Sequence, residues 1–137
     1  MSDTHPTPSE PVIACNPSAI APADREAHAA LSQEIFSKST ILEIKELANG
    51  YGFRLPLETS MLLKATQFIA NERLCCPFFT FTLVVGEHLW LELSGPEGVK
   101  DLIKTDILAM IDTGDFPTMD ELQADYNALT GADNVQS

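Results

Sequence analysis

The sequence predicts an α+β fold: a two-layer sandwich in which about four antiparallel strands, supplied by two β-hairpins, carry helices packed on one face. Three observations predict it. Asn49-Gly50 separates two β-like runs, and Gly86-Glu87 separates two more. Around these hairpins, apolar residues recur at helical spacing near 22–35, 58–76 and 97–111. The resulting order is α-ββ-α-ββ-α, in which each pair of strands is linked too tightly for a parallel crossover.

Residues 1–11, with His5, Pro6, Pro8 and Pro11 among small polar residues, read as a disordered leader. Val12 to Cys15 suits a short extended segment. Pro22 and Asp24 open the first helix, with Ala23, Ala27, Ala30, Leu31 and Ile35 as its apolar stripe and His28 on the polar side, hence at the surface. In the first hairpin a type I′ turn at Asn49-Gly50 pairs Ala48 with Tyr51, Glu46 with Phe53 and Ile44 with Leu55. Leu42, Ile44, Phe53 and Leu55 then share the core face, and Glu43, Lys45 and Arg54 the solvent face.

The second helix runs from about Glu58 to Cys76, where Pro77 stops it. Leu62, Ala65, Ile69 and Cys76 lie near its stripe, flanked by Met61, Phe68 and Cys75. Phe79, Phe81, Leu83 and Val85 alternate with Thr80, Thr82 and Val84 at strand period. A type II′ turn at Gly86-Glu87 places Trp90 opposite Leu83 and Leu91 opposite Thr82. Ser94 and Glu97 stand at capping-box spacing ahead of a third helix with Val99, Leu102, Ile103, Ile107 and Met110 inward. The spacing recurs at Thr118 and Glu121, ahead of Leu122, Tyr126 and Leu129. The expected division is a leader over 1–11, one α+β domain over 12–112, and a C-terminal extension with one short helix over 113–137.

Composition narrows the partners. A chain of 137 residues with 45% apolar content suits one domain with one core. No apolar run approaches the roughly 20 residues that cross a bilayer. The start also lacks a signal-peptide pattern, so a cytoplasmic location is expected. The net charge of −12 repels phosphate backbones and anionic bilayers, so this domain is expected to bind neither nucleic acid nor membrane. It is compatible with a protein partner or a homodimer.

The chemistry of the chain is concentrated at Cys75-Cys76. Three cysteines is an odd number, and a reducing compartment leaves thiols free, so a disulfide framework is not expected. Thiolates suit zinc or another thiophilic metal or metalloid. Cys15 is the natural third ligand and Glu72, one turn before Cys76, the fourth, with His28 and His88 as alternatives. Successive helical residues point about 100° apart, so the pair converges only if the last turn unwinds. The plainer reading of the same residues is core filling, because cysteine behaves as a small hydrophobe and Leu74, Phe78 and Phe79 adjoin it. Redox chemistry is a third reading. Glu72 is otherwise a solvated helix residue pairing with Lys64 or Arg73. Phe81 and Trp90, with Phe53, line a small-molecule pocket or simply fill the core. The chain has no glycine-rich phosphate loop, nucleophile elbow or paired-carboxylate pattern, so the balance is against an enzyme. Gly95-Pro96-Glu97-Gly98 reads as a turn and cap.

The run Glu72-Arg73-Leu74-Cys75-Cys76-Pro77-Phe78-Phe79-Thr80-Phe81, followed by Gly95-Pro96-Glu97-Gly98-Val99, resembles a family of small bacterial proteins. These carry an upstream cysteine, matched here by Cys15, and an E-x-x-C-C-x-F-x-x-F core. Similar modules occur alone or joined to MerR-like regulators. The resemblance covers about residues 12–112 and implies a sensing or metal-handling role, without a DNA-binding helix in this chain. A non-enzymatic interaction or dimerisation module with structural cysteines stands beside it, motivated by the strand edges the two hairpins leave.

Overall fold

The computed structural model describes residues 13–131, so the leader expected over 1–11 lies outside the described residues. After a 3₁₀ turn at Pro17–Ala19 come α1 (Pro22–Ile35), β1 (Glu43–Leu47), β2 (Gly50–Leu55), α2 (Thr59–Cys75), β3 (Thr80–Val85) and β4 (Leu89–Ser94). The next helical stretch is continuous: α3 (Val99–Leu102), a wide-turned π-helical segment (Ile103–Leu108) and α4 (Ala109–Thr113). Gly114 ends it at φ 79°. Finally α5 (Met119–Thr130) opens on the expected capping box, in which Thr118 and Glu121 each bond the other's backbone.

The two hairpins form one antiparallel sheet in the order β1-β2-β4-β3. Leu89, Leu91 and Leu93 are fully buried on its covered face, with Phe53 and Leu55 beside them. Phe36, Phe68, Ile35 and Ile103 close the core from the helical side. This is the α+β architecture expected, and its core is built from the period-2 and period-3.6 patterns that predicted it.

Both registers differ from expectation. In the first hairpin the loop is Ala48-Asn49, and Ile44 faces Phe53 rather than Leu55. Gly50 belongs to β2, where it lies against the β4 backbone; a side chain there would overlap the Leu93 carbonyl and stand 2.7 Å from Ser94 Cα. Close approach, not a positive φ, is why glycine occupies this position. The face assignment survives this slip of two, although Leu42 and Ile44 are exposed because β1 is an edge strand. In the second hairpin the loop is three residues, Gly86-Glu87-His88, and Leu91 rather than Trp90 faces Leu83. A slip of one exchanges the faces of a strand, so the three leucines point inward and Trp90 outward. Trp90 lies on the open face, its ring 4.1 Å from Lys45 Nζ, which also reaches Glu92 at 3.2 Å.

The first helix is rotated relative to the expected stripe. Ala23, Ala27 and Ala30 are exposed, whereas His28 and Ile35 are buried, with the half-buried Leu31 and Ser32 on the same face. Likewise no capping box forms at Ser94 and Glu97. The helix starts one turn later, behind Gly98 at φ 98°.

Candidate functional site

The site is built at the C-terminal end of α2. The buried line of that helix runs Met61, Ala65, Phe68 and Cys75, and Glu72 lies on the same line. The helix ends at Cys75. Cys76 has already left helical geometry, with φ −126° and ψ 68°, although its N–H still bonds the Glu72 carbonyl at 2.8 Å. Pro77 accounts for the break. This unwinding removes the 100° divergence of successive helical side chains and brings Cys75 Sγ to 3.5 Å from Cys76 Sγ.

Cys15 arrives from the opposite direction. The Asn16 N–H donates to the Cys75 carbonyl, an orphan of the helix end, at 2.7 Å. That bond docks the extended segment against α2 and brings the Cα atoms of Cys15 and Cys76 to 4.6 Å, where the two form a disulfide. The sequence reading, which left all three thiols free, is corrected here. An odd count requires only one cysteine to be left over, and Cys75 is that one. Asn16 is itself held by the C-terminal helix, since Gln123 Nε2 donates to its Oδ1 at 3.0 Å.

Glu72 is shared among three neighbours. Its Oε1 is 2.7 Å from His28 Nε2 and accepts from Cys75 Sγ at 3.5 Å. Its Oε2 is 3.3 Å from Cys76 Sγ, which carries no proton in the disulfide. The expected pairing of Glu72 with Lys64 or Arg73 does not occur; Lys64 pairs with Glu34 instead. Burial, followed by the Glu72 carboxylate beside it, pushes the Cys75 thiol far above its usual range. This thiol is protonated at neutral pH and is no spontaneous nucleophile.

His28 is the residue the sequence reading misplaced. It is 2% exposed rather than on the surface, and it stacks on Phe68 with ring centroids 5.5 Å apart. Its Nδ1 is buried and, among the described residues, has no hydrogen-bond partner. Its position offered a signal, since it precedes Leu31, Ser32 and Ile35 by three, four and seven residues and so continues their face. His88 is exposed in the β3–β4 loop and plays no part in the cluster.

One atom each from Cys15, Glu72, Cys75 and Cys76 lie within 4.8 Å of one another. Four donors around a tetrahedral zinc at about 2.3 Å would stand about 3.8 Å apart, so the group is close enough to hold an ion after a small contraction. The disulfide must first open, because bonded sulfurs are not independent ligands. Cys15, His28, Glu72 and Cys75 also form one wall of a cavity of about 680 Å³ between α1, α2, the stretch 99–113 and α5. Phe68, Phe79, Leu102, Met110 and Phe116 make it largely apolar. Neither Phe81 nor Trp90 lines it. Phe81 packs in the core against Phe68 and Phe79, and Trp90 is on the far side of the sheet.

Among the described residues, no helix is long and apolar enough to cross a membrane. Comparison of the chain with protein-family models, with curated proteins and with solved structures yields no match.

Proposed function

We propose that the protein binds a thiophilic metal or metalloid ion through Cys15, Cys75 and Cys76, with Glu72 as the further ligand, and that the Cys15–Cys76 disulfide is its closed, oxidised state. The convergence of these four side chains, from two segments 57 or more residues apart in sequence, carries the reading. Reduction frees two thiols beside a third that is already present. A soft cation then replaces the protons and compensates a charge that burial otherwise disfavours. Glu72 contributes a hard oxygen donor, and His28, bonded to that carboxylate, orients it in the manner of an outer-shell partner.

The test is titration of reduced and oxidised protein with zinc, mercury(II) and arsenite, followed by thiolate absorbance. One equivalent bound by the reduced protein, lost in Cys75→Ser and Cys76→Ser and absent from the oxidised form, is expected. Equal affinity in the double serine variant would overturn the assignment.

A second reading is a homodimer or a protein-binding module, favoured by the exposed Val84 and Val85 on the β3 edge and Leu42 and Ile44 at the β1 edge. Light scattering tests it: a dimer supports it, and a monomer at every concentration removes self-association.

A further inference from the structure

The thiol cluster is not sealed in the core. It opens on an apolar cavity far larger than an ion needs. Cys15 and Cys75 belong to the cavity wall, whereas Cys76 lies behind them and is fully buried. Phe68, Phe79, Leu102 and Met110 complete the apolar lining. A site for a bare ion has no use for such a space, and an apolar compound without a soft centre has no use for the sulfurs. Together they describe one kind of ligand.

Resting on the thiol-dependent reading above, we infer that the site takes a thiophilic centre carrying one apolar organic group, with the centre held by Cys15 and Cys75 and the organic group in the cavity. Cavities of this size suit drug-sized molecules, and a single ring fits with room to spare. Cys15, His28, Glu72 and Cys75 gather on one wall, and the rest of the lining, although it includes Gln33, Thr105, Asp106 and Asp125, is mostly apolar. His28, whose buried Nδ1 has no hydrogen-bond partner among the described residues, lies on the same wall as the sulfurs.

The chemistry balances with phenylarsine oxide as probe. A trialkylphosphine first reduces the Cys15–Cys76 disulfide, supplying two electrons and leaving as its oxide with the oxygen of a water molecule. Phenylarsine oxide then forms two arsenic–sulfur bonds. Its oxygen departs as water with the two thiol protons, and arsenic stays trivalent. Binding therefore needs two thiols, while inorganic arsenite takes three.

The experiment compares phenylarsine oxide, methylarsonous acid and arsenite on phosphine-reduced protein. Native mass spectrometry counts the adducts, and competition against a free dithiol cancels the intrinsic arsenic–sulfur preference. The expected result is one phenylarsenic per chain, held at least tenfold more tightly than methylarsenic on that normalised scale. Ala29→Phe and, independently, Leu122→Trp narrow the cavity from α1 and α5. Each is expected to abolish the phenyl preference while methylarsonous acid and arsenite still bind. Equal normalised affinity for phenyl and methyl in the wild type overturns the inference and leaves the ion-binding reading standing. A phenyl preference that survives both cavity-filling variants overturns it too. Failure of all three arsenicals to bind the reduced protein overturns it as well, and if zinc and mercury(II) also fail to bind, the ion-binding reading falls with it.

Discussion

Opening the Cys15–Cys76 disulfide should cost a large part of the protein's stability without unfolding it. The bridge spans a sequence separation of 61 residues. By the chain-entropy relation, closing a loop of that length removes about 14 cal/mol/K from the unfolded ensemble, or about 4 kcal/mol at 25 °C. A domain of ordinary stability has roughly 5–15 kcal/mol in all, so the reduced protein stays folded with a narrow margin. The assay is urea unfolding of wild type, Cys15→Ser and Cys75→Ala, each with and without reductant. At an m-value of about 2 kcal/mol/M, the wild-type midpoint should fall by about 2 M on reduction. Cys75→Ala should keep that gap, because Cys75 stands outside the bridge. Cys15→Ser should show none and should resemble reduced wild type. It is a cleaner probe than Cys76→Ser, because Cys76 is fully buried and a hydroxyl there adds its own cost. Coincident oxidised and reduced midpoints in the wild type, or a gap that persists in Cys15→Ser, would refute the pairing.

Three further outcomes follow from the same geometry. Because Cys75 keeps its proton in the folded state far above the pH at which an unfolded thiol loses it, metal-free wild type should lose stability as pH rises beyond about 8.5. The slope is up to about 1.4 kcal/mol per pH unit, and below that pH the two states bind the same proton and there is no effect. Thermal melts of wild type against Cys75→Ala from pH 7 to 10 isolate this contribution, which should vanish in the variant. Glu72→Gln removes the negative charge beside Cys75, so its reaction with a small disulfide reagent at pH 8 should speed up, by about tenfold for each unit the thiol pKa falls. An unchanged rate would mean that burial alone holds the proton. Gly50→Ala sets a methyl into the β4 backbone and should destabilise by about 3 kcal/mol, read from the same urea curves.

The architecture was legible because both kinds of periodicity are present, and each hairpin carries glycine near its turn. The registers were not. Asn49-Gly50 has the composition of a type I′ turn, yet Gly50 is needed one step later, where β2 and β4 nearly touch at Leu93 and Ser94. Gly86-Glu87 suggests a two-residue loop, but His88 joins it because Leu89, rather than His88, has a core to enter. At the site, Cys15, Glu72, Cys75 and Cys76 were legible as a group from residue chemistry and helix spacing. The bond between Cys15 and Cys76 was not, since it depends on a segment docking through backbone atoms that no side-chain pattern reveals. His28 was hidden by its alanine neighbours, which suggested the wrong phase for α1.

The disulfide and a bound ion would perform the same mechanical task. Each joins the Cys15 segment to the end of α2, and through Asn16 and Gln123 that junction also holds α5 over the cavity. Opening the disulfide loosens this clamp by about 4 kcal/mol. An ion present at about a thousand times its dissociation constant restores about 4.1 kcal/mol. The oxidised and loaded forms are therefore nearly matched in stability, and the reduced, empty form is the weak one. In that form the Cys15 segment keeps the Asn16 N–H bond to the Cys75 carbonyl and the Gln123 bond to Asn16, but no covalent link to α2. Hydrogen exchange of the Asn16 amide should be slow in the oxidised protein, fast after reduction, and slow again once one equivalent of ion is added. Equal protection in all three states would mean that backbone docking alone closes the site, and that the sulfurs neither lock nor release it.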